Sequence, residues 1–152
     1  MFIFTKKKKS YFHCLVVAIS LFLLQSCSVS TEPQQIPSGT PCAFCKMPIA
    51  EMNYASQLIN SKGKMYAFDD LHCTTAFIKS GIVKKQDIGE VYVADFITEE
   101  MLNVKNAFFL RSAELRTPMN GAIAAFKNME TLQTQMGKYP GDVVTWEEII
   151  NR

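Results

Sequence analysis

The segment Cys42-Ala43-Phe44-Cys45-Lys46-Met47-Pro48 gathers three sulfur side chains within six residues. Thiolates and thioethers are soft donors that select copper(I), whereas oxygen ligands select harder ions. Cys45 and Met47 stand two apart, and an extended segment would turn both sulfurs to one side. Pro48 favours that extended state at Met47. The thioether binds without losing a proton, and the thiolate supplies charge. Together they form half of a site for an ion content with two to four soft ligands. A Cys-x-x-Cys equally suits a redox disulfide, half of a structural zinc site or a small covalent staple, and all of these stand at this point. Zinc lacks a second Cys-x-x-Cys, although His72 and Cys73 can contribute. A redox site lacks the helix expected to begin at the motif, because Pro48 and a polar stretch flank it.

Other reactive types read more plainly. Asp69 and Asp70 are adjacent acids without a nucleophile or histidine pair beside them, so they are expected to serve as helix cap and structural acid. Of the eight methionines, Met65, Met101, Met129 and Met136 fit core or helix packing, and Met52 is a spare donor near the motif. Cys73 suits a buried apolar thiol, and a lone His72 at a helix start suits the surface. Phe108, Phe109, Phe126 and Trp146 supply core volume.

The elements that must position these residues are short. Tyr54–Ile59 and Lys64–Phe68 are strand-like runs joined by Asn60-Ser61-Lys62-Gly63, a hairpin pattern. Asp69 or Asp70 caps a helix running to about Ser80, with Gly81 as its stop. Val91–Thr98 is a further strand. The order then loosely recurs: a strand at Ala107–Arg111, a short helix at Gly121–Lys127, a helix at Glu130–Met136, a strand at Asp142–Thr145, and Trp146–Ile150 closing the chain. Mixed elements without regular βαβ alternation indicate an α+β fold, with subdomains at about 42–98 and 99–150.

The N-terminus carries an address. Lys6 to Lys9 form a positive run with no acidic residue before Glu32, and Leu15 to Leu24 form a short apolar stretch. Ten residues rise only about 15 Å as a helix, roughly half a bilayer core. Leu24-Gln25-Ser26-Cys27 follows, and the three parts define a secretory signal over residues 1–26. Its last four residues resemble the lipobox of bacterial lipoproteins, which implies a diacylglyceryl thioether at Cys27 and durable anchoring. Ser28 is not the Asp that often retains such proteins at the inner membrane, which favours the outer one. Lys6 to Lys9 are four of the 16 basic residues, so 12 remain against 14 acidic ones, a net of −2 after processing. No basic sequence cluster remains to argue for nucleic acid. Residues 27–41 are polar and Pro-containing and read as a flexible tether. The domain proper spans 42–150 and keeps an odd number of cysteines, Cys42, Cys45 and Cys73; the leftover thiol needs a use.

Taken in order, Cys42-x-x-Cys45-Lys46-Met47-Pro48-Ile49, Phe68-Asp69-Asp70-x-x-Cys73, Val91-x-Val93-x-Asp95-Phe96, Thr117-Pro118-Met119 and Ala125-Phe126 resemble the NosL family from about Cys42 to Ile150. The resemblance implies a non-enzymatic, exported copper(I)-binding lipoprotein on the periplasmic side of a membrane. It further implies help in delivering copper to apo nitrous-oxide reductase, alongside a dedicated ABC-type transporter, and a fold of two small ββα-type subdomains. It assigns Cys45 and Met47 to the metal motif and offers Met119 as a third ligand. Weaker candidates are Cys42, which can pair with Cys45 when oxidised, His72 and Cys73. The alternative is a lipid-anchored thiol–disulfide oxidoreductase using Cys42 and Cys45, to which Thr117-Pro118 lends a likeness to the Thr-Pro near a thioredoxin active site.

Overall fold

The computed structural model describes residues 29–152; the expected signal segment, Cys14 and the expected lipidation position Cys27 lie outside the described residues. Strands β1 (Ser56–Asn60) and β2 (Met65–Phe68) form the expected hairpin. The Asn60 side chain accepts bonds from the amides of Lys62 and Lys64, and Gly63 takes the left-handed conformation (φ +77°) that closes the turn. Helix α1 (Leu71–Lys79) follows at once. Asp70 caps it by accepting from the His72 amide at 2.8 Å, and Ser80 and left-handed Gly81 end it. Strand β3 (Ile88–Ala94) returns beside β1, and β4 (Met101–Asn103) adds to its edge. The first sheet is thus antiparallel in the order β2-β1-β3-β4.

The second unit repeats the plan. Strands β5 (Phe108–Arg111) and β6 (Ile123–Phe126), helix α2 (Met129–Met136) and strand β7 (Asp142–Val144) build a sheet in the order β6-β5-β7, and helix α3 (Trp146–Ile150) closes the chain. The order β2-β1-β3 around α1 and the order β6-β5-β7 around α2 are the same ββαβ topology. In each unit the second strand ends on a phenylalanine, Phe68 or Phe126, two residues before an Asx helix cap, Asp70 or Asn128. The α+β class and the two-unit plan hold. The helix expected over Gly121–Lys127 is instead β6, because Asn120 and Ala122 turn through positive φ (55° and 56°) and deliver Ile123–Phe126 into register with β5. The expected boundary at residue 98 also moves: β4 pairs with β3, so the first unit runs to Asn103.

The two faces of the second sheet divide the core. Phe109, Ala125 and Val144 pack with Ala55, Phe68, Phe77 and Val93 of the first unit, whereas Leu110, Ala124 and Phe126 pack with Leu132 of α2. Asp95 and Phe96 join the units: the Phe96 amide donates to the Ala125 carbonyl, and Asp95 accepts from the Lys127 amide. Strand β1 is buried at every position. One face carries Ser56, whose hydroxyl meets that of Thr74 on α1 at 2.6 Å. On the other, Gln57 accepts from the Gln34 amide and donates to its carbonyl, both at 2.9 Å. The Thr31 carbonyl likewise accepts from the Tyr92 hydroxyl, and Ile36 is buried. The stretch expected to be a tether to residue 41 therefore lies on the domain from Thr31 onward. A buried glutamine amide demands such partners. Among the described residues no helix is long and apolar enough to cross a membrane.

Candidate metal centre

The Cys-x-x-Cys segment is a tight loop. The Cys42 amide donates to the Met47 carbonyl at 2.8 Å and the Lys46 amide to the Cys42 carbonyl at 3.1 Å, while Pro41 and Pro48 face each other across its base. Lys46 sits at φ +70°, so the backbone between Cys45 and Met47 is left-handed, and the extended geometry expected there is not found. The bond across the loop explains this, since it requires a reversal between residues 42 and 47. The Ala43 amide donates to Ala67 on β2 at 2.8 Å, docking the loop two residues before Asp69.

That docking gathers four donors. One ligand atom each from Cys42, Cys45, Asp69 and Cys73 lies within 4.8 Å of the others. Cys42, Asp69 and Cys73 are buried and Cys45 is half-buried; all three cysteines are free thiols. The Cys45 thiol donates to Asp69 Oδ2 at 3.4 Å. Asp69 Oδ1 is buried and accepts no hydrogen bond, an arrangement that burial penalises unless a cation or donor meets it. Burial, aided by the bond to Asp69, pushes the Cys73 thiol far above its ordinary range. Burial also raises Cys45, against an opposing contribution from the Met47 backbone. A metal ion reverses this tendency, because coordinating thiols lose their protons. Three sulfurs and a carboxylate within one small volume suit a thiophilic ion.

The Thr-Pro-Met loop is held next to this group by Asp70. Its Oδ2 accepts from the Thr117 hydroxyl at 2.6 Å, from the Met119 amide at 3.0 Å and from the Gly121 amide at 3.3 Å. Asp70 is fully buried, so one side chain caps α1 and pins the loop of the other unit.

The expected residues fall into three groups. Cys42, Cys45 and Cys73 come together, although the first and last were the weaker candidates. Met47 is 59% exposed on the outer side of the loop, and Met119 is half-buried against the core that holds the cysteines. Met52 lies in a short 3-10 turn (Met52–Tyr54), packed against the same core. His72 is exposed and lines a cleft with Arg111 and Gly121, apart from the thiol group. Asp69 is the site residue that sequence reasoning passed over. Asp69 stands one residue before the Asp70 cap of α1, outside the helix, so no helical spacing to Cys73 marks it as a ligand.

Comparison with known proteins bears on the fold and the family. No curated protein matches the chain. The crystal structure of the copper chaperone NosL from Shewanella denitrificans superposes with a TM-score of 0.68 at 20% identity, covering 78% of this chain and 96% of that one, so the two share a fold. The sequence profile of the NosL family matches residues 33–152, from the segment bonded to β1 through both ββαβ units to the last residue, and the chain belongs to the NosL family.

Proposed function

We propose that this protein is a copper(I) metallochaperone, a binding protein that carries the ion as cargo. The observation that carries the proposal is the Cys42–Cys45–Asp69–Cys73 group, with donors within 4.8 Å of one another, at the base of a loop whose Met47 is exposed. Soft sulfur favours copper(I) over harder ions. Exposed Met47 and half-buried Met119 add thioethers that a partner can replace one at a time, and an ion passed by ligand exchange needs such a route. Family membership and the likeness to a copper chaperone support the same reading. We place the protein outside the cytoplasm, lipid-anchored at Cys27, preferentially at the outer membrane. Its proposed partners are apo nitrous-oxide reductase and the ABC-type transporter that serves it.

The test is competition for copper(I) between the reduced, unlipidated protein and a chromophoric chelator. The protein should win copper from the chelator, Cys45→Ser should lose at least ten-fold in affinity, and Met47→Ala and Met119→Ala should each lose a smaller factor. Unchanged binding in all three variants rejects the proposal. The proximity of three thiols also allows disulfide exchange, the basis of the oxidoreductase alternative. Exchange needs a thiolate near neutral pH, whereas burial raises both Cys45 and Cys73. Insulin reduction dependent on Cys42 and Cys45 would favour that alternative.

A further inference from the structure

A second concave site lies on the other side of α1. The cleft, about 630 Å³, runs between α1 and the Asn120–Ile123 turn into β6, with Leu71, Ile123 and Ile149 as apolar walls. His72, Lys79, Arg111 and Arg152 line it, and no acidic side chain does. This is notable in a chain whose net charge after residue 26 is −2.

Arg111 is the informative residue. It sits on the β5 face that turns toward the first unit, beside Ile123 in register. Its Nε and Nη2 are buried and donate to no acceptor among the described residues. Two acids neighbour it, Asp142 and Glu148. Asp142 lies opposite it in the β5–β7 register, yet the pair forms no ion pair. Glu148 accepts the amide and hydroxyl of Thr145 through Oε2 in the capping box of α3, and Arg111 helps hold its carboxyl below the ordinary value, yet no hydrogen bond or ion pair joins the two. Arg111 as a whole is half-buried, and two guanidinium nitrogens kept from water without an acceptor are costly. Its planar fork matches the oxygens of an oxyanion bidentately. Lys79 adds a point charge from the same helix that presents His72.

We propose that this cleft binds a phosphate-type oxyanion, held by Arg111 and Lys79 with His72 at the rim. More than one cationic group lines the cleft, which suits the charge of a phosphate better than that of a single carboxylate. Free phosphate and the headgroup of an anionic phospholipid share this chemistry. The proposal does not depend on copper binding at the thiol group.

The test uses the reduced chain from Cys27 onward carrying Cys27→Ser, so that no lipid anchor confounds membrane binding. Inorganic phosphate is titrated at constant ionic strength against chloride, and NMR follows the Arg111 Nε–H signal and the Ala122 and Ile123 amides. Saturable shifts are expected, with affinity reduced about ten-fold or more in Arg111→Gln and several-fold in Lys79→Gln. Should Arg111→Gln fail to fold, exposed Lys79 decides, since its replacement disturbs no packing. Co-sedimentation with phosphatidylglycerol vesicles, reversed by phosphate and absent with phosphatidylcholine, identifies the source as a lipid headgroup. Phosphate saturation without vesicle binding identifies the free anion. Shifts no larger than those from chloride, parental binding by the folded variants, or displacement of phosphate by lower concentrations of hexaglutamate would overturn the proposal.

Discussion

Asp69 does two things with two oxygens: one accepts the Cys45 thiol at 3.4 Å, and the other is buried without a donor. As a hard donor beside three soft ones, it should orient and charge-balance the sulfurs more than compete with them. Asp69→Asn is accordingly expected to cost about ten-fold in copper(I) affinity, within the range for groups that support metal ligands, as read by chelator competition. The thiols themselves can be ranked by access. Cys45 is half-buried, and Cys42 and Cys73 show no exposure. Iodoacetamide followed by mass spectrometry should label Cys45 first, and slowly at pH 7–8 because burial raises its pKa; Cys42 and Cys73 should react only on unfolding. Much at this scale was legible in sequence, since soft-donor chemistry follows from residue type. What was not legible was company. Asp69 and Cys73 reach the loop only because Ala43 bonds to Ala67, a contact between residues 24 apart that no local spacing encodes.

At the scale of elements, the Asp70 carboxylate is a latch between α1 and the Thr117–Gly121 loop. Asp70→Ala strands a hydroxyl and three amides, and a loss of about 3 kcal/mol or more is expected in denaturant unfolding. Met119→Ala, truncating a side chain half-buried against the core, should cost only about 1 kcal/mol while lowering copper affinity, which separates the latch from the donor it holds. Gly121 is required by close approach: a Cβ there would meet Asp70 Oδ1 at 2.5 Å. Gly121→Ala should therefore cost about 1–3 kcal/mol, measured in the same way. Strong local signals made the β1–β2 hairpin and α1 readable, namely Asn60, Gly63, an aspartate cap and Gly81. Strand β6 was misread as a helix because Ile123-Ala124-Ala125-Phe126 is apolar and lacks polar alternation. Its two faces are both buried, toward α2 and toward the first unit, so the period that distinguishes strand from helix is absent. Three-residue β4 gives too short a pattern to read at all.

For the whole molecule, the joint between units rests on Asp95. Burial opposes its charge, but bonds from the Thr98, Lys127 and Ile97 amides outweigh that opposition and hold its carboxyl below its ordinary value of 3.8. A depressed folded pKa contributes stability that is fully present above the unfolded value and lost as pH falls through the folded one. Urea midpoints should thus fall steeply below about pH 4, and Asp95→Asn should flatten that dependence while lowering stability at pH 7. The duplicated ββαβ plan was visible only as a loose recurrence of elements, because equivalent positions share shape more than residue identity. The N-terminal segment was the larger misjudgement: Pro and Gln content spoke for a flexible chain, yet Gln34 completes the bonding of Gln57. With Thr31 fixed by Tyr92, only four residue steps separate the proposed lipid on Cys27 from rigid structure. Fully extended, these reach about 14 Å, against about 50 Å for the fifteen steps to Cys42. The volume swept by an anchored domain scales with the cube of that reach, a contraction of roughly forty-fold. An anchored copper carrier of this shape would not fish at the end of a line; it would ride like a moored buoy, its point of attachment never more than about 14 Å from the lipid.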